Sequence, residues 1–375
     1  MARKEASLKY DLVIVGGGLA GLALAILEAR AGQHVLLCEQ KHYPYHKVCG
    51  EYISYESHAF LQHLGVPLSD WQLPDIKRLK LTVPQYELEL GLPLGGFGLS
   101  RHLLDSTLAQ LAEAAGVTVL EGCKVQAVTG TTGNRLVQTT EGDFSAFWVA
   151  GSWGRRSVLY KQAPQKRNHV GVKWHLSGPL PNDLIALHTF SGGYAGMSRI
   201  ENDLSCFCYL VDARRLKAAG SIAQLETEIK RENSHLAQML APMQAVWDEP
   251  QSISQVTFLP KSRLHEGVLL LGDAAGSIAP LAGNGMSMAL HAAWLLHQCW
   301  EKRGRSASAF LELAAAYDQQ WRKHFQLRTG VSYRLQGTFG QLKPATLLFK
   351  TVGALPFLGR QLTRLTHGAP FGPHT

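Results

Sequence analysis

Three glycines and one acid, in fixed order between apolar runs, constrain this 375-residue chain more than anything else in it. Tyr10-Asp11-Leu12-Val13-Ile14-Val15 reads as a buried strand, and Gly16-Gly17-Gly18-Leu19-Ala20-Gly21 follows at once. Leu22 to Ala29 then reads as an apolar helix. His34-Val35-Leu36-Leu37-Cys38 reads as a second strand, ending at Glu39, eighteen residues after Gly21. Each piece has a job in a βαβ unit that binds a dinucleotide. Gly16 permits the tight turn, Gly18 lets a pyrophosphate approach the backbone, and Gly21 lets helix and strand pack closely. The helix start offers unpaired N–H groups and a positive dipole end to phosphates. Glu39, at the tip of the second strand, can accept from ribose hydroxyls. A lone glycine turn is weak evidence; the full succession of strand, glycines, helix, strand and acid is strong. By itself it leaves NAD and FAD both open.

With 46% hydrophobic and 18% charged residues, the composition is globular and admits two domains or one large core. The net charge is +8, but Lys and Arg are scattered rather than striped with aromatics. That argues against nucleic acid and suits an anionic cofactor or an anionic membrane surface. Six cysteines occur without a CxxC pair or zinc-like spacing, so no metal is expected. Cys206 and Cys208 share one face of a strand-like run and are expected as buried thiols, which points to the reducing cytoplasm. Arg3 and Lys4 precede an apolar stretch, but the glycines break it and the nucleotide fold accounts for it. No run of about twenty apolar residues exists to span a membrane.

Further along, Arg101 to Ala115 carries apolar residues at helical spacing and ends at Gly116. Strands are expected at 117–120, 124–128, 136–140 and 147–150. Alternating segments at 170–176 and 204–211 predict an antiparallel sheet, followed by a helix over Ile222–Met239. A buried strand at Gly267–Leu271 ends in Gly272-Asp273, and an apolar helix runs from about Gly285 to Trp300. The expected fold is α/β: a Rossmann-like βαβ domain with an inserted antiparallel β-sheet substrate domain and a helical C-terminus. The nucleotide domain is expected to be discontinuous (1–66, 98–165 and 262–305). The substrate domain takes 67–97 and 166–261, and a helical segment takes 306–375.

The second motif is Val268-Leu269-Leu270-Leu271-Gly272-Asp273-Ala274-Ala275-Gly276, continuing through Pro280-Leu281-Ala282-Gly283-Asn284-Gly285-Met286. An Asp at a strand's C-terminal edge faces the ligand crevice, where it can accept from ribityl hydroxyls. The glycine turn at a helix start presents N–H donors to an electron-rich atom, which on a reduced flavin is the pyrimidine oxygen beside N1. The glycine fingerprint with Glu39, the run Ser100-Arg101-His102-Leu103-Leu104-Asp105 and this segment together resemble one FAD superfamily. It contains aromatic-ring hydroxylases, flavin-dependent halogenases and geranylgeranyl reductases, and the likeness covers most of residues 8–300. The resemblance implies a glutathione-reductase-type FAD domain with non-covalent FAD. By it, Arg101 reaches the phosphates or ribityl chain, Asp273 beside Gly272 holds the ribityl chain, and Gly285 and Met286 lie against the isoalloxazine ring. Gly283, Asn284 and Lys47 join the same cofactor-binding set.

The chain departs from the hydroxylases at Gly151-Ser152-Trp153-Gly154-Arg155-Arg156-Ser157. Trp153 stands where that group has an Asp tied to FAD and NADPH handling, which argues against an NADPH-coupled hydroxylase and leaves NADPH an open candidate donor. His46-Lys47-Val48-Cys49-Gly50-Glu51 looks like the Cys-Gly-Glu segment of the geranylgeranyl reductases, whose cysteine is implicated in double-bond reduction. Cys49 is then a candidate proton donor, with a packing role under the ring equally open. The Trp-x-Trp-x-Ile-Pro motif of halogenases is absent. Ser191 to Met197 matches the tyrosine-tryptophan-glycine motif of isoprenoid reductases only at Tyr194, which either lines the pocket or caps the sheet. Among the histidines, His291 is expected in the core.

The expectation is hydride transfer to a C=C bond of a lipophilic, isoprenoid- or polyketide-like molecule. The alternatives are a monooxygenase working through a C4a-hydroperoxide and a non-catalytic lipid carrier on the same fold. Leu342 to Arg360 mixes large apolar residues with Lys and Arg and has no acid. Either this C-terminal segment lies on the inner face of an anionic membrane, or it closes the substrate tunnel as two short helices. Both imply an apolar substrate.

Overall fold

A computed structural model describes residues 9–155, 159, 168–256 and 261–373. The chain opens with β1 (Lys9–Val15), α1 (Leu19–Arg30), β2 (Val35–Cys38), β3 (Tyr52–Ser54), α2 (His58–Leu64), β4 (Asp75–Val83) and β5 (Tyr86–Gly98). It continues through α3 (Arg101–Ala114), β6 (Thr118–Leu120), β7 (Val125–Thr131), β8 (Asn134–Thr139) and β9 (Gly142–Gly151). Then come β10 (His169–Ser177), β11 (Leu184–Phe190), β12 (Gly193–Arg199), β13 (Leu204–Asp212), α4 (Ala213–Ala219), α5 (Ile222–Glu232) and α6 (Ser234–Leu240). The last part holds β14 (Gln244–Ala245), β15 (Gln251–Val256), β16 (Leu264–His265), β17 (Val268–Leu270), α7 (Gly285–Arg303), α8 (Phe310–Phe339), α9 (Leu342–Ala354) and α10 (Pro356–Thr366).

Two sheets organise these elements. The first has the order β16-β17-β9-β1-β2-β6, with β7 and β8 continuing from β9. Its centre is parallel: β1 pairs with β2 and β9, β2 with β6, and β9 with β17. Parallel neighbours buried on both faces read as continuous apolar runs, which is how β1 and β2 appear in the sequence. Helix α1 is buried from Leu19 to Glu28 because the sheet, α3 and α7 surround it. The charge this buries is matched: Glu28 accepts from His297 Nδ1 (2.8 Å) and Arg305 Nη2 (2.8 Å). The Rossmann-like core, the inserted sheet and the C-terminal helices are as the motifs imply.

The second sheet has the order β14-β10-β13-β12-β11-β4-β5-β3, with β15 also on β10. All its pairings are antiparallel except β4 with β11. Helices α4 to α6 cover one face, where Leu225, Ile229 and Leu236 pack on Val172, Phe207 and Tyr209. The single helix expected over 222–239 is broken at Asn233, whose Oδ1 accepts from Leu236 N (3.1 Å) and starts α6. Its Nδ2 donates to Thr82 Oγ1 (3.0 Å) and Thr189 O (3.1 Å), anchoring the break to the sheet. The apolar period survives the break, which is why it reads as one helix. On the opposite face α9 packs Ala345 and Phe349 against Leu81 and Val83.

Candidate active site

The glycine turn is built for close backbone approach. Gly16 sits at φ +103°, and a Cβ there would lie 2.6 Å from Ser152 O; at Gly21 it would lie 2.2 Å from Gly16 O. Both positions require glycine for close backbone approach. Gly18 differs. The nearest atoms to a Cβ there are Arg101 Nη2 and Lys47 Nζ, each at 4.0 Å, so two cations face its open side at the N-terminus of α1. Asp105 holds both: Lys47 Nζ donates to Oδ2 (2.7 Å), and Arg101 donates through Nε and Nη2 (2.7 Å each). Burial opposes ionisation of Asp105, but Arg101 and Lys47 outweigh it and hold the carboxyl below its ordinary range. Burial also lowers Lys47, although Asp105 favours its charge. Two cations against one carboxylate leave a net positive charge where a pyrophosphate would meet free helix N–H groups.

Glu39 has a second role in this structure. Its Oε2 accepts from Gly17 N (2.8 Å) and its Oε1 from Lys41 N (3.0 Å), while Tyr43 Oη donates to Gly17 O (2.5 Å). The acid pins the glycine turn, and each oxygen keeps a further acceptor site for a ribose hydroxyl.

The ring end of the site is built by the other motif. Gly272–Ala274 forms a 3₁₀ turn after β17, where Asp273 Oδ2 accepts from Arg155 Nε (3.1 Å). Gly283, at φ +64°, leads into Asn284, which is fully buried. Asn284 Nδ2 donates to Thr366 O (3.0 Å), whereas its Oδ1 has no partner among the described residues. Helix α7 then starts at Gly285, and its first intrahelical bond runs from Met288 N to Asn284 O (3.0 Å). The amides of Gly285, Met286 and Ser287 are therefore outside the helical ladder. An orphaned acceptor beside unclaimed N–H donors fits a flavin's pyrimidine edge, which presents both kinds of group. The residues present fit FAD, which supplies two-electron redox chemistry when bound.

A second cluster lies on the face of the second sheet that α9 covers in part. Glu51, at φ +55° and fully buried, accepts from Arg101 N (2.9 Å), from Lys173 Nζ and, through Oε2, from His175 Nε2 (2.7 Å). The surroundings of Glu51 disfavour its charge by burial, yet His175 and Lys173 hold its pKa below the ordinary carboxylate value. Lys173 stays charged for the reciprocal reason, since Glu51 outweighs burial. Cys49 lies at the edge of this cluster: its Sγ accepts from Glu51 N (3.5 Å) and its carbonyl accepts from Cys206 Sγ (3.3 Å). Burial pushes Cys208 up to about 12 and Cys206 well above the ordinary thiol value.

Tyr194 stands on the same sheet face as Cys208, one strand across, and is buried under Phe339 of α8 (ring centroids 6.1 Å apart). Its phenol has no hydrogen-bond partner among the described residues, and burial raises its pKa well above the ordinary value. The structure thus brings Lys47 and Arg101 together with Gly18, and places Cys49 and Tyr194 on one sheet face. Trp153 folds back so closely over Gly151 that a Cβ there would meet its ring at 2.3 Å. Arg156 and Ser157 of that motif lie outside the described residues. His291 is buried, stacked on Phe371 at 4.1 Å, as a core residue.

Motif reading missed Asp105, Tyr43, Lys173 and His175. Asp105 was detectable, because it lies one helical turn after Arg101, where an acid and a base pair. Lys173 and His175 also leave a signal: charges alternating along an otherwise apolar strand face inward.

Two substitutions probe these groups. Lys47→Ala should weaken FAD retention by about 1.5–3 kcal/mol, the worth of a charged hydrogen bond, read by fluorescence titration. Glu51→Gln should destabilise the protein by about 3–5 kcal/mol in urea, because Lys173 is left as an uncompensated buried charge. Glu51→Gln with Lys173→Met should recover much of that loss. Since the folded pKa of Glu51 is depressed, its contribution is fully present above about pH 4.3 and is lost as pH falls through the folded value. The Gln variant should therefore show a flatter acid limb.

Menaquinone reductase of Mycobacterium tuberculosis is 26% identical over 326 residues, covering 78% of this chain and 77% of that protein. Digeranylgeranylglycerophospholipid reductase 1 of Methanococcoides burtonii is 23% identical over 365 residues, covering 90% and 86%. Among solved structures, the flavin-dependent brominase Bmp2 superposes with a TM-score of 0.79 at 16% identity, covering 97% of this chain and 95% of that one; at this identity the likeness speaks for the fold. A family model described as an FAD binding domain matches residues 9–300. With that match spanning most of its length, and with a turn, two cations and a helix start arranged for a dinucleotide, the chain belongs to the FAD binding domain family and is an FAD-dependent oxidoreductase.

Proposed function

We propose that this oxidoreductase acts on an amphiphilic small molecule with an oxygen-bearing ring or head and an apolar tail. One observation carries the reading. A single row of paired residues crosses the sheet as Lys173, Cys208, Gly196, Leu187, Leu81 and Leu88. Paired residues point to the same face, so that face grades from charged, through thiol, to aliphatic. The charged end adjoins Cys49 and the cofactor turn, and the aliphatic end lies under α9. Such a gradient suits a head at the redox centre and a tail along the leucines. The names of the two curated relatives, a menaquinone reductase and a digeranylgeranylglycerophospholipid reductase, refer to molecules of that kind.

Of the available chemistries, oxygen insertion makes the smaller demand on these side chains. Delivering a hydride to a C=C bond requires an acid to protonate the other carbon. Burial has raised Cys206, Cys208 and Tyr194, and Glu51 keeps Lys173 charged against burial, which makes all four poor acids. Hydroxylation of an electron-rich ring needs no acid aimed at a substrate carbon, because its proton goes to oxygen and can come from water. The second reading, reduction of a C=C bond, is favoured by the position of Cys49 and by the relatives' names. NADPH is the candidate reductant in either case.

The deciding experiment starts from chemically reduced holoenzyme, so that the donor does not matter. Incubated with a prenylated phenol, it should form a product carrying one added oxygen atom in air and none in its absence. A saturated product formed anaerobically would overturn this order and assign reduction, and Cys49→Ser should then slow that turnover with flavin content unchanged. A protein that retains no flavin and turns nothing over would instead leave the carrier reading.

A further inference from the structure

The whole of this chain's charge excess sits at one end. The sequence has 37 Lys and Arg against 29 Asp and Glu, and residues 319–375 contain eight of the former and none of the latter. Residues 1–318 are therefore balanced, at 29 of each. Four of the eight, Lys343, Lys350, Arg360 and Arg364, lie exposed on α9 and α10. Between them are exposed large apolar side chains: Leu347 at 69%, Phe357 at 52% and Leu355 at 45%.

These residues lie on two adjoining helices. On α9, Lys343, Leu347 and Lys350 follow helical spacing on the side opposite Ala345, Phe349 and Val352, which are buried. On α10, Phe357, Arg360, Arg364 and Leu365 are exposed, while Gly359 faces the sheet. Two glycines set the helices close to their support. A Cβ at Gly359 would lie 3.1 Å from Leu90, and one at Gly353 would lie 2.4 Å from Tyr86 Oη. The helices are thus fixed to β4 and β5 on one side and unpartnered on the other.

We propose that the α9–α10 face docks on an anionic phospholipid bilayer. Leucine and phenylalanine enter the headgroup boundary while Lys and Arg meet the phosphates, which is how an interfacial helix binds. The charge segregation selects a lipid surface: a soluble acidic protein would not require exposed Leu347, Leu355 and Phe357 interleaved with the bases. No described helix is long and apolar enough to cross a membrane, so the contact is peripheral in form. The surface backs directly onto the leucine end of the substrate face, so an apolar tail has the shortest route from the bilayer at this point. The proposal is independent of the redox reaction, because binding is read without turnover.

The test is co-sedimentation of the full-length holoprotein with phosphatidylcholine vesicles, with and without phosphatidylglycerol. The protein should sediment with the anionic vesicles, less so at high salt. K343Q/K350Q/R360Q/R364Q should lower partitioning by at least about tenfold, given roughly fivefold per surface charge. L347S/F357S should also lower it, with flavin content and far-UV circular dichroism unchanged. Equal sedimentation without vesicles, or either variant partitioning like the parent, would overturn the proposal. So would a dimer in sedimentation velocity that L347S/F357S abolishes, because a second copy would then cover the face.

Discussion

Glu51 is the group on which the two halves of the site depend. It accepts from the first amide of α3 and from Lys173 and His175 of β10, while its own carbonyl accepts from Leu99 N (2.9 Å). One carboxylate thereby joins the Cys-Gly-Glu loop, the helix that carries Arg101, and the substrate sheet. A buried ion pair of this sort contributes modestly to net stability, but losing one partner is costly. Its value here is positional. The left-handed backbone at Glu51 is retained because two elements, α3 and β10, converge on its side chain.

The nucleotide half of the site follows a similar logic with the signs reversed. Asp105 collects Lys47 and Arg101, and both are presented to the open side of Gly18. Neither cation needs to search for its position when an anion arrives, so little side-chain entropy is lost on binding. Burial lowers Lys47, and Asp105 is the counter-ion that opposes it.

Much of this was legible in the residues because it depends on local chemistry. The glycine turn, the Arg101 helix with its Ser100 cap, and the start of α7 each need specific residue types within a few positions. What depends on pairing across distance was not legible. The 222–239 helix reads as unbroken because Asn233 is spoken for by Thr82 and Thr189, which are far away in sequence. The alternation at Lys173 and His175 places them on one strand face, but their partner Glu51 emerges only when β10 is laid beside its loop. The row from Lys173 to Leu88 involves six strands and exists only once their register is set.

The account requires a cofactor whose pyrophosphate lies between Gly18 and the Lys47–Arg101 pair, with one ring face turned to Cys49 and Cys208. An experimental structure of the FAD complex measures this directly. The account predicts phosphate oxygens within hydrogen-bond distance of both cations and the ring edge at the Gly285 and Met286 amides. Phosphates elsewhere, or a ring separated from the β10–β13 face by ordered protein, would contradict it.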